Sequence, residues 1–416
     1  MTEAEAEAEN VLITNKHILV IDSNIDVNVE YIRGNFCGRV CGDIKDIDKF
    51  VTNSDTIIYL CGDIEKNYDL IPNNTKYRIN IIKELSYNYD LDSQKYKIIT
   101  LGQVPANTHN VGVYFRDIFG PRESYFERIK AAHQFQQLTE SNKPSNAFRT
   151  GIYLTNVIQN QNEIKFKLLR CSSNLNGPTD NFREPDLEVI DTVNNVVADF
   201  FEQKVVFNHV LAQIYENKVI ETNKSKHVER KAKIMAHSDK TKDMPRNGLI
   251  AFTTFYDGLK DSIDIKKFKT NPDEHCYYDT SILTRLRFRL KKDVNVLDNT
   301  LKGQFDIILY PNSVFIISLG MNRLYTHEIV PSILPIDKIP TRMGYVIRCS
   351  NTNAVFKDNQ TYIDQDGKLI ALEEPNGVGV KELKDAYFRE NTTIDIMEYG
   401  EVNFSLNRGD YERPIL

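Results

Sequence analysis

Tryptophan is absent from this 416-residue chain, and the six cysteines are not densely spaced. That spacing excludes a disulfide-stapled scaffold and points to a reducing intracellular compartment, cytoplasmic or nuclear. No apolar run approaches the roughly 18 residues of a transmembrane helix, and no charged-then-apolar stretch at the start reads as a signal peptide. No membrane partner is therefore expected. Gly-x-Gly-x-x-Gly and Walker patterns are missing, which removes the common phosphate cradles. Positive charge is not in excess: 52 Lys/Arg stand against 58 Asp/Glu, a net charge of −6. A generally basic, nucleic-acid-coating protein is thereby disfavoured, though a local basic groove is not. What is present is a hydrophobic share of 41% with 10% aromatic and 26% charged residues, enough for a real core. The length implies more than one folding unit.

The Glu-Ala alternation at the start reads as an acidic tail over residues 1–10. The first third then reads as α/β, a domain over 11–145 whose role the residues do not assign. Short apolar runs at His17 to Asp22, Thr56 to Cys61 and Tyr96 to Leu101 suit buried strands. Helix-like patterns such as Arg78 to Leu85 lie between them, which predicts a parallel sheet. Two of those strands end in Cys61-Gly62-Asp63 and Leu101-Gly102-Gln103, turns where such sheets often bind ligands. Glu123 to Gln137 has helical character and leads into a polar run ending near residue 145, where a domain boundary is placed. Pro185 to Phe201 reads as a helix with proline in its first turn. From about Val205 short β segments dominate: 210–215, 249–255, 283–290, 305–309, 314–319 and 344–348. Pro311-Asn312 is expected as a hairpin turn between two of them, and Asp366-Gly367 as another. That pattern predicts a β-sandwich or barrel, with a last amphipathic element at about Val380 to Phe388.

One constellation carries chemistry. His237 and Asp239 form a His-x-Asp pair, and on an extended segment residues i and i+2 project to the same side. His327 supplies a second imidazole. Two histidines and a carboxylate make the facial triad that leaves coordination positions open on Fe(II). Arg342 and Arg348 follow, and their spacing of six places both on one face of a strand with Gly344 and Val346 between them. Met343, Tyr345 and Ile347 fall on the opposite, apolar face. Upstream, Gln213 and Tyr215 share one face of another strand.

The order His-x-Asp, distal His, Arg-x5-Arg resembles the AlkB-like branch of the 2-oxoglutarate- and Fe(II)-dependent dioxygenases over roughly residues 205–350. The resemblance implies an α+β chain in which a double-stranded β-helix (jelly-roll) core with flanking helices follows the smaller α/β domain. The dioxygenase domain would run over 146–416, with a C-terminal extension from 351. His237, Asp239 and His327 would bind Fe(II), and Arg342 would hold the distal carboxylate of 2-oxoglutarate. Arg348 would steady Asp239 and the cosubstrate, which Tyr215 and Gln213 would touch. Dioxygen and 2-oxoglutarate would be consumed with release of succinate and CO2 as a C–H bond is oxidised. Gly344 departs from the family, which usually has Asn there, and the gaps flanking His237 are long, so inserted loops would rim the pocket.

Substrate signals are open to more than one reading. Between Asn217 and Asp293 there are 18 Lys/Arg against 11 Asp/Glu, net +7, leaving −13 elsewhere. Arg285, Arg287 and Arg289 form a basic stripe on one strand, and Lys224 to Lys233 is a basic loop before the first ligand. A basic rim suits phosphate contacts from nucleic acid, and an ordinary solvated edge gives the same pattern. Phe252, Phe255 and Tyr256 could stack on a flipped base or simply fill the sheet core. His275 and Cys276 with Asp273 and Glu274 read as a surface loop. Cys37 and Cys41 lack the second pair a zinc site needs, and the loop Asn174 to Phe182 has the polar composition of a lid. The expectation is oxidative demethylation of an alkylated nucleobase, with hydroxylation of a protein side chain or small molecule as the alternative. A non-catalytic jelly-roll interaction module with a vestigial metal site is the reading from outside enzymology.

Overall fold

The computed structural model describes residues 14–21, 29–50, 55–66, 77–89, 95–120, 124–140, 143–171, 175–202, 205–221, 227–259, 275–277, 280–296 and 301–416. The acidic tail, Asp273 and Glu274, Asn174 and the start of the basic loop lie outside the described residues. The architecture is mixed α/β and strand-rich. It divides into two compact units, one of Met1–Pro121, Thr192–Lys204 and Asn312–Ile317, the other of Arg122–Asp191, Val205–Pro311 and Ser318–Leu416. No helix among the described residues is long and apolar enough to cross a membrane.

In the first unit β1 (His17–Ile21), α1 (Val29–Asn35), β2 (Arg39–Cys41), α2 (Ile47–Phe50), β3 (Ile57–Asp63), β4 (Arg78–Tyr87) and β5 (Lys97–Ile99) precede β6 (Ala106–Thr108) and β7 (Gly112–Phe115). The first five strands form a parallel sheet in the order β2-β1-β3-β4-β5. The segment Arg78 to Leu85, expected as a helix, is instead the fourth strand. Its buried Ile79 and Ile81 alternate with Arg78 and Asn80, a period of two, and β-branched residues pack well on a pleated surface. Ile18, Val20, Ile58, Leu60, Ile79 and Ile81 form the core on one side of this sheet.

The second unit runs through α3 (Tyr125–Ala132), β8 (Gln136–Glu140), β9 (Lys143–Thr155), β10 (Ile158–Asn160), β11 (Glu163–Leu168), β12 (Asp180–Asn181) and the 17-residue helix α4 (Glu184–Phe200), which belongs to this unit through Asp191. Then come β13 (His209–Tyr215), β14 (Lys218–Glu221), β15 (His227–Arg230), β16 (Ile234–His237), β17 (Leu249–Asp257), β18 (Cys276–Tyr277), β19 (Thr280–Ser281), β20 (Arg285–Leu290) and β21 (Gln304–Ile308). β22 (Ser313–Ser318), which belongs to the first unit as far as Ile317, leads to α5 (Leu319–Leu324), β23 (Tyr325–Val330), β24 (Thr341–Arg348), β25 (Thr352–Lys357), β26 (Gln360–Gln365), β27 (Lys368–Ala371) and α6 (Gly377–Thr392). The expected helix at Glu123 to Gln137 is shorter, because Gln136 already pairs with Gly151 in the sheet. Pro311-Asn312 makes no hairpin: β21 pairs with β20, whereas β22 pairs with β7. Asn312 takes φ 61, a left-handed turn that asparagine tolerates, and redirects the chain.

Two sheets of this unit position the site. The larger runs β12-β9-β13-β24-β17 and the smaller β16-β23-β20-β21, with β16, β23, β20 and β21 antiparallel. Phe252 on β17 makes ring contacts with Phe288 on β20 and His327 on β23, so the two sheets face one another. A third sheet, β10-β11-β25-β26-β27, has its own core of Ile164, Phe166, Ala354, Phe356 and Ile363.

The opposite face of the larger sheet is held by a buried polar network. His133 meets Asp180 through Nδ1 and Asp186 through Nε2, each at 2.7 Å, and Tyr345 of β24 donates to Asp186 at 2.8 Å. Burial opposes charge on this imidazole, but the two carboxylates outweigh it and push its pKa up to about 9. A pKa raised above the unfolded value stabilises the fold fully below about pH 6.5, and the contribution is lost as pH rises through about 9. Urea unfolding at pH 6 and pH 9.5 should therefore show wild type losing on the order of 1–2 kcal/mol more than His133→Gln, after allowing for solvent screening.

Candidate metal centre

Two strands and the segment after the first of them bring His237, Asp239 and His327 together. β16 and β23 pair with His237 directly opposite His327, and their rings lie 4.5 Å apart, centroid to centroid. Asp239 stands two residues beyond the end of β16. Its Oδ1 is 3.6 Å from His237 Nε2 and 3.7 Å from His327 Nε2, and the ligand atoms of all three residues lie within 4.8 Å of one another. Among the described residues this is the one such cluster.

The carboxylate is aimed by its neighbours. Arg348 Nε and Nη2 both reach Asp239 Oδ2 at 2.8 Å, which leaves Oδ1 turned toward the imidazoles. Burial opposes ionisation of Asp239, but Arg348 and the two histidines hold its carboxyl well below the usual range. Asn322 of α5 grips the Asp239 backbone on both sides, accepting from its N–H at 2.9 Å and donating to its carbonyl at 3.0 Å. Between the two ligands, Ser238 donates its hydroxyl to the Tyr325 carbonyl and its N–H to Asn391 Oδ1.

The imidazoles are in the state a metal requires. Burial pushes the His327 pKa down to about 3, reinforced by His237, and burial likewise lowers that of half-buried His237. His237 Nδ1 lies 2.9 Å from the Met235 carbonyl, which assigns its proton there and leaves Nε2 with its lone pair facing Asp239. Phe252 and Phe288 flank His327 at 5.0 and 5.7 Å and keep that side apolar. Neutral imidazoles and an ionised carboxylate around one point form a donor set suited to Fe(II) or a similar divalent ion.

The strand β24 extends the site. It is paired on both sides, with Arg342 opposite Tyr215 and Tyr256, and Arg348 opposite His209 and Ile250. Arg342 is 4% exposed, and its guanidinium lies 3.9 Å over the Tyr215 ring. Tyr215 in turn donates to Gln213 at 3.1 Å. Arg342 Nε and Nη2 and Arg348 Nη1 have no hydrogen-bond partner among the described residues. Gly344 makes the stack possible, because a Cβ there would stand 2.9 Å from Arg342 Nη1 and 3.2 Å from the Tyr215 ring. A larger residue at 344 would require the Arg342 guanidinium to shift.

Other candidates fall elsewhere. Phe255 lies on the opposite face of β17, against Tyr125 and Tyr345. Tyr256 stays on the site's face of β17, opposite Arg342, but its buried hydroxyl is taken up by the Leu309 carbonyl. The stripe on β20 is neutralised in place: Arg285 and Arg287 pair with Asp306, and Arg289 pairs with Glu328 at 2.7 Å. The loop expected as a lid is pinned from Gly177 onward, with Gln136 bonded to Gly177 and Pro178. Sequence reasoning missed Asn322 and Asn391, whose signals are long-range hydrogen bonds that no spacing encodes.

No protein-family model and no curated protein matches the chain. Among solved structures, a Pseudomonas putida prolyl-4-hydroxylase aligns at 11% identity with a TM-score of 0.28, covering 54% of this chain and 82% of that one. A likeness that shallow carries no weight, and the site stands on its own geometry.

Because Asn391 acts only as an acceptor here, from Ser238 N–H and Lys240 Nζ, Asn391→Ala should weaken Mn(II) binding about tenfold by titration while Asn391→Asp keeps most of it. Equal affinity in all three proteins would remove its role in holding the metal loop.

Proposed function

We propose that the chain is a 2-oxoglutarate- and Fe(II)-dependent dioxygenase built on a double-stranded β-helix, oxidising a substrate C–H bond with release of succinate and CO2. The observation that carries this reading is the pairing of the His237, Asp239 and His327 cluster with the buried Arg342, whose Nε and Nη2 have no hydrogen-bond partner among the described residues. An uncompensated buried guanidinium is strongly disfavoured, so Arg342 calls for an anion. A terminal carboxylate of 2-oxoglutarate suits its planar fork.

In this reading His237, Asp239 and His327 hold Fe(II), which supplies the dioxygen chemistry when bound. Arg342 anchors the distal carboxylate of the cosubstrate, and Tyr215 and Gln213 keep the guanidinium in place. Arg348 fixes the Asp239 carboxylate and offers Nη1 toward the cosubstrate's metal-binding end. Phe252 and Phe288 restrict water around His327. Engagement of the Arg285–Arg289 stripe with Asp306 and Glu328 favours a protein side chain or small molecule over an alkylated nucleobase as substrate.

With Fe(II), ascorbate and 2-oxoglutarate, wild type should release succinate and His237→Ala should not; equal release from both would sink the iron assignment. Arg342→Gln should raise the KM for 2-oxoglutarate about 10- to 100-fold, the loss of a charge-assisted contact worth roughly 1.5–3 kcal/mol. Gly344→Asn should raise that KM through displacement of Arg342 while leaving Mn(II) affinity unchanged. If its KM stays at the wild-type value, glycine is not what seats the arginine.

A further inference from the structure

A cavity of about 750 Å³ is lined in part by Phe148, Arg149, Glu229, Arg230, Lys231 and Lys233. Four cations and one carboxylate in a single concavity are unusual for a chain of net charge −6. Lys231 is engaged, donating to the Ser332 and Leu334 carbonyls. The others are available. Arg230 and Lys233 are exposed and have no ion-pair partner among the described residues, and Arg149 Nε is a buried donor with no hydrogen-bond partner.

Position ties the cavity to the metal centre. Arg149 on β9 stands opposite Tyr215, which stands opposite Arg342, so the three form a row on one sheet face. Arg149 also donates to the carbonyl of Lys233, the residue just before β16. From Lys233 to His237 is four residues, about 13 Å along an extended strand. One short strand therefore separates the cavity wall from the first of the three clustered residues.

We propose that this cavity is an oxyanion site that anchors the charged group of the substrate, a discrete molecule bearing phosphate or several carboxylates. A concavity of this size favours a discrete ligand over a polyanion, and the one extended arginine row, on β20, is already paired with carboxylates. That the bound molecule is the substrate rests on the dioxygenase reading; the anion binding itself does not.

The test uses metal-free full-length protein and calorimetric titration at low salt with inorganic pyrophosphate, citrate and a series of single-stranded oligonucleotides. Pyrophosphate or citrate should bind wild type and Arg342→Gln within twofold of each other. The Arg149→Gln/Lys233→Gln protein should bind at least tenfold more weakly. Arg230→Gln, at an exposed position, gives a second reading, and melting followed by circular dichroism confirms that each variant folds. Tighter binding of pyrophosphate assigns a phosphate, and tighter binding of citrate assigns carboxylates. The proposal is overturned if neither anion binds, if the double variant binds like wild type, if Arg342→Gln abolishes binding, or if oligonucleotide affinity climbs with length past both anions. Mn(II) titration of the same proteins separates the two ideas. Metal binding without anion binding removes only the cavity's role, and anion binding without metal binding removes only the dioxygenase reading.

Discussion

The site depends on how one carboxylate is shared. Arg348 takes Asp239 Oδ2 with two donors, so Oδ1 alone faces the two imidazoles. A buried ion pair of this kind offsets its desolvation only when the geometry is fixed, and here β24 fixes it by pairing with a strand on each side. The direction of the carboxylate is thus inherited from sheet register. A one-residue slip of β24 would send Arg342, Gly344 and Arg348 to the helix-covered face and bring Tyr345 toward the ligands.

The same strand therefore has two jobs set by parity. Its even-numbered residues from Arg342 to Arg348 build the site. Its odd-numbered ones, Met343, Tyr345 and Ile347, are buried on the opposite face, where Tyr345 is tied through Asp186 to His133. Gly344 sits between the two arginines as a deliberate gap, and the closeness of Arg342 to Tyr215 fills it.

Local periodicity made part of this legible. The six-residue spacing of the arginines depends only on strand geometry, which a sequence displays, whereas Asp239 lies beyond the end of β16 and is placed by its backbone clamp. The parallel sheet of the first unit was readable from its apolar runs, except for β4, where Ile79, Ile81 and Ile82 satisfy helical and strand periods almost equally over so short a span. What could not be read was anything fixed by distant pairing. Arg287 looks free in sequence because Asp306 and Glu328, its neighbours on either side in the sheet, are 19 and 41 residues away. Asn322 and Asn391 likewise carry no mark, since an asparagine that clamps a backbone looks like any other.

The grip of α6 on the metal loop sets an order of events. Ser238 and Lys240 lie between or beside the ligands, yet their partner Asn391 comes more than 150 residues later. During synthesis the chain emerges with all three ligands and both arginines well before the residue that locks their loop. A nascent chain therefore carries a loosely held site while it is still being made. Full closure of the cluster is deferred until the helix that follows the last sheet has docked.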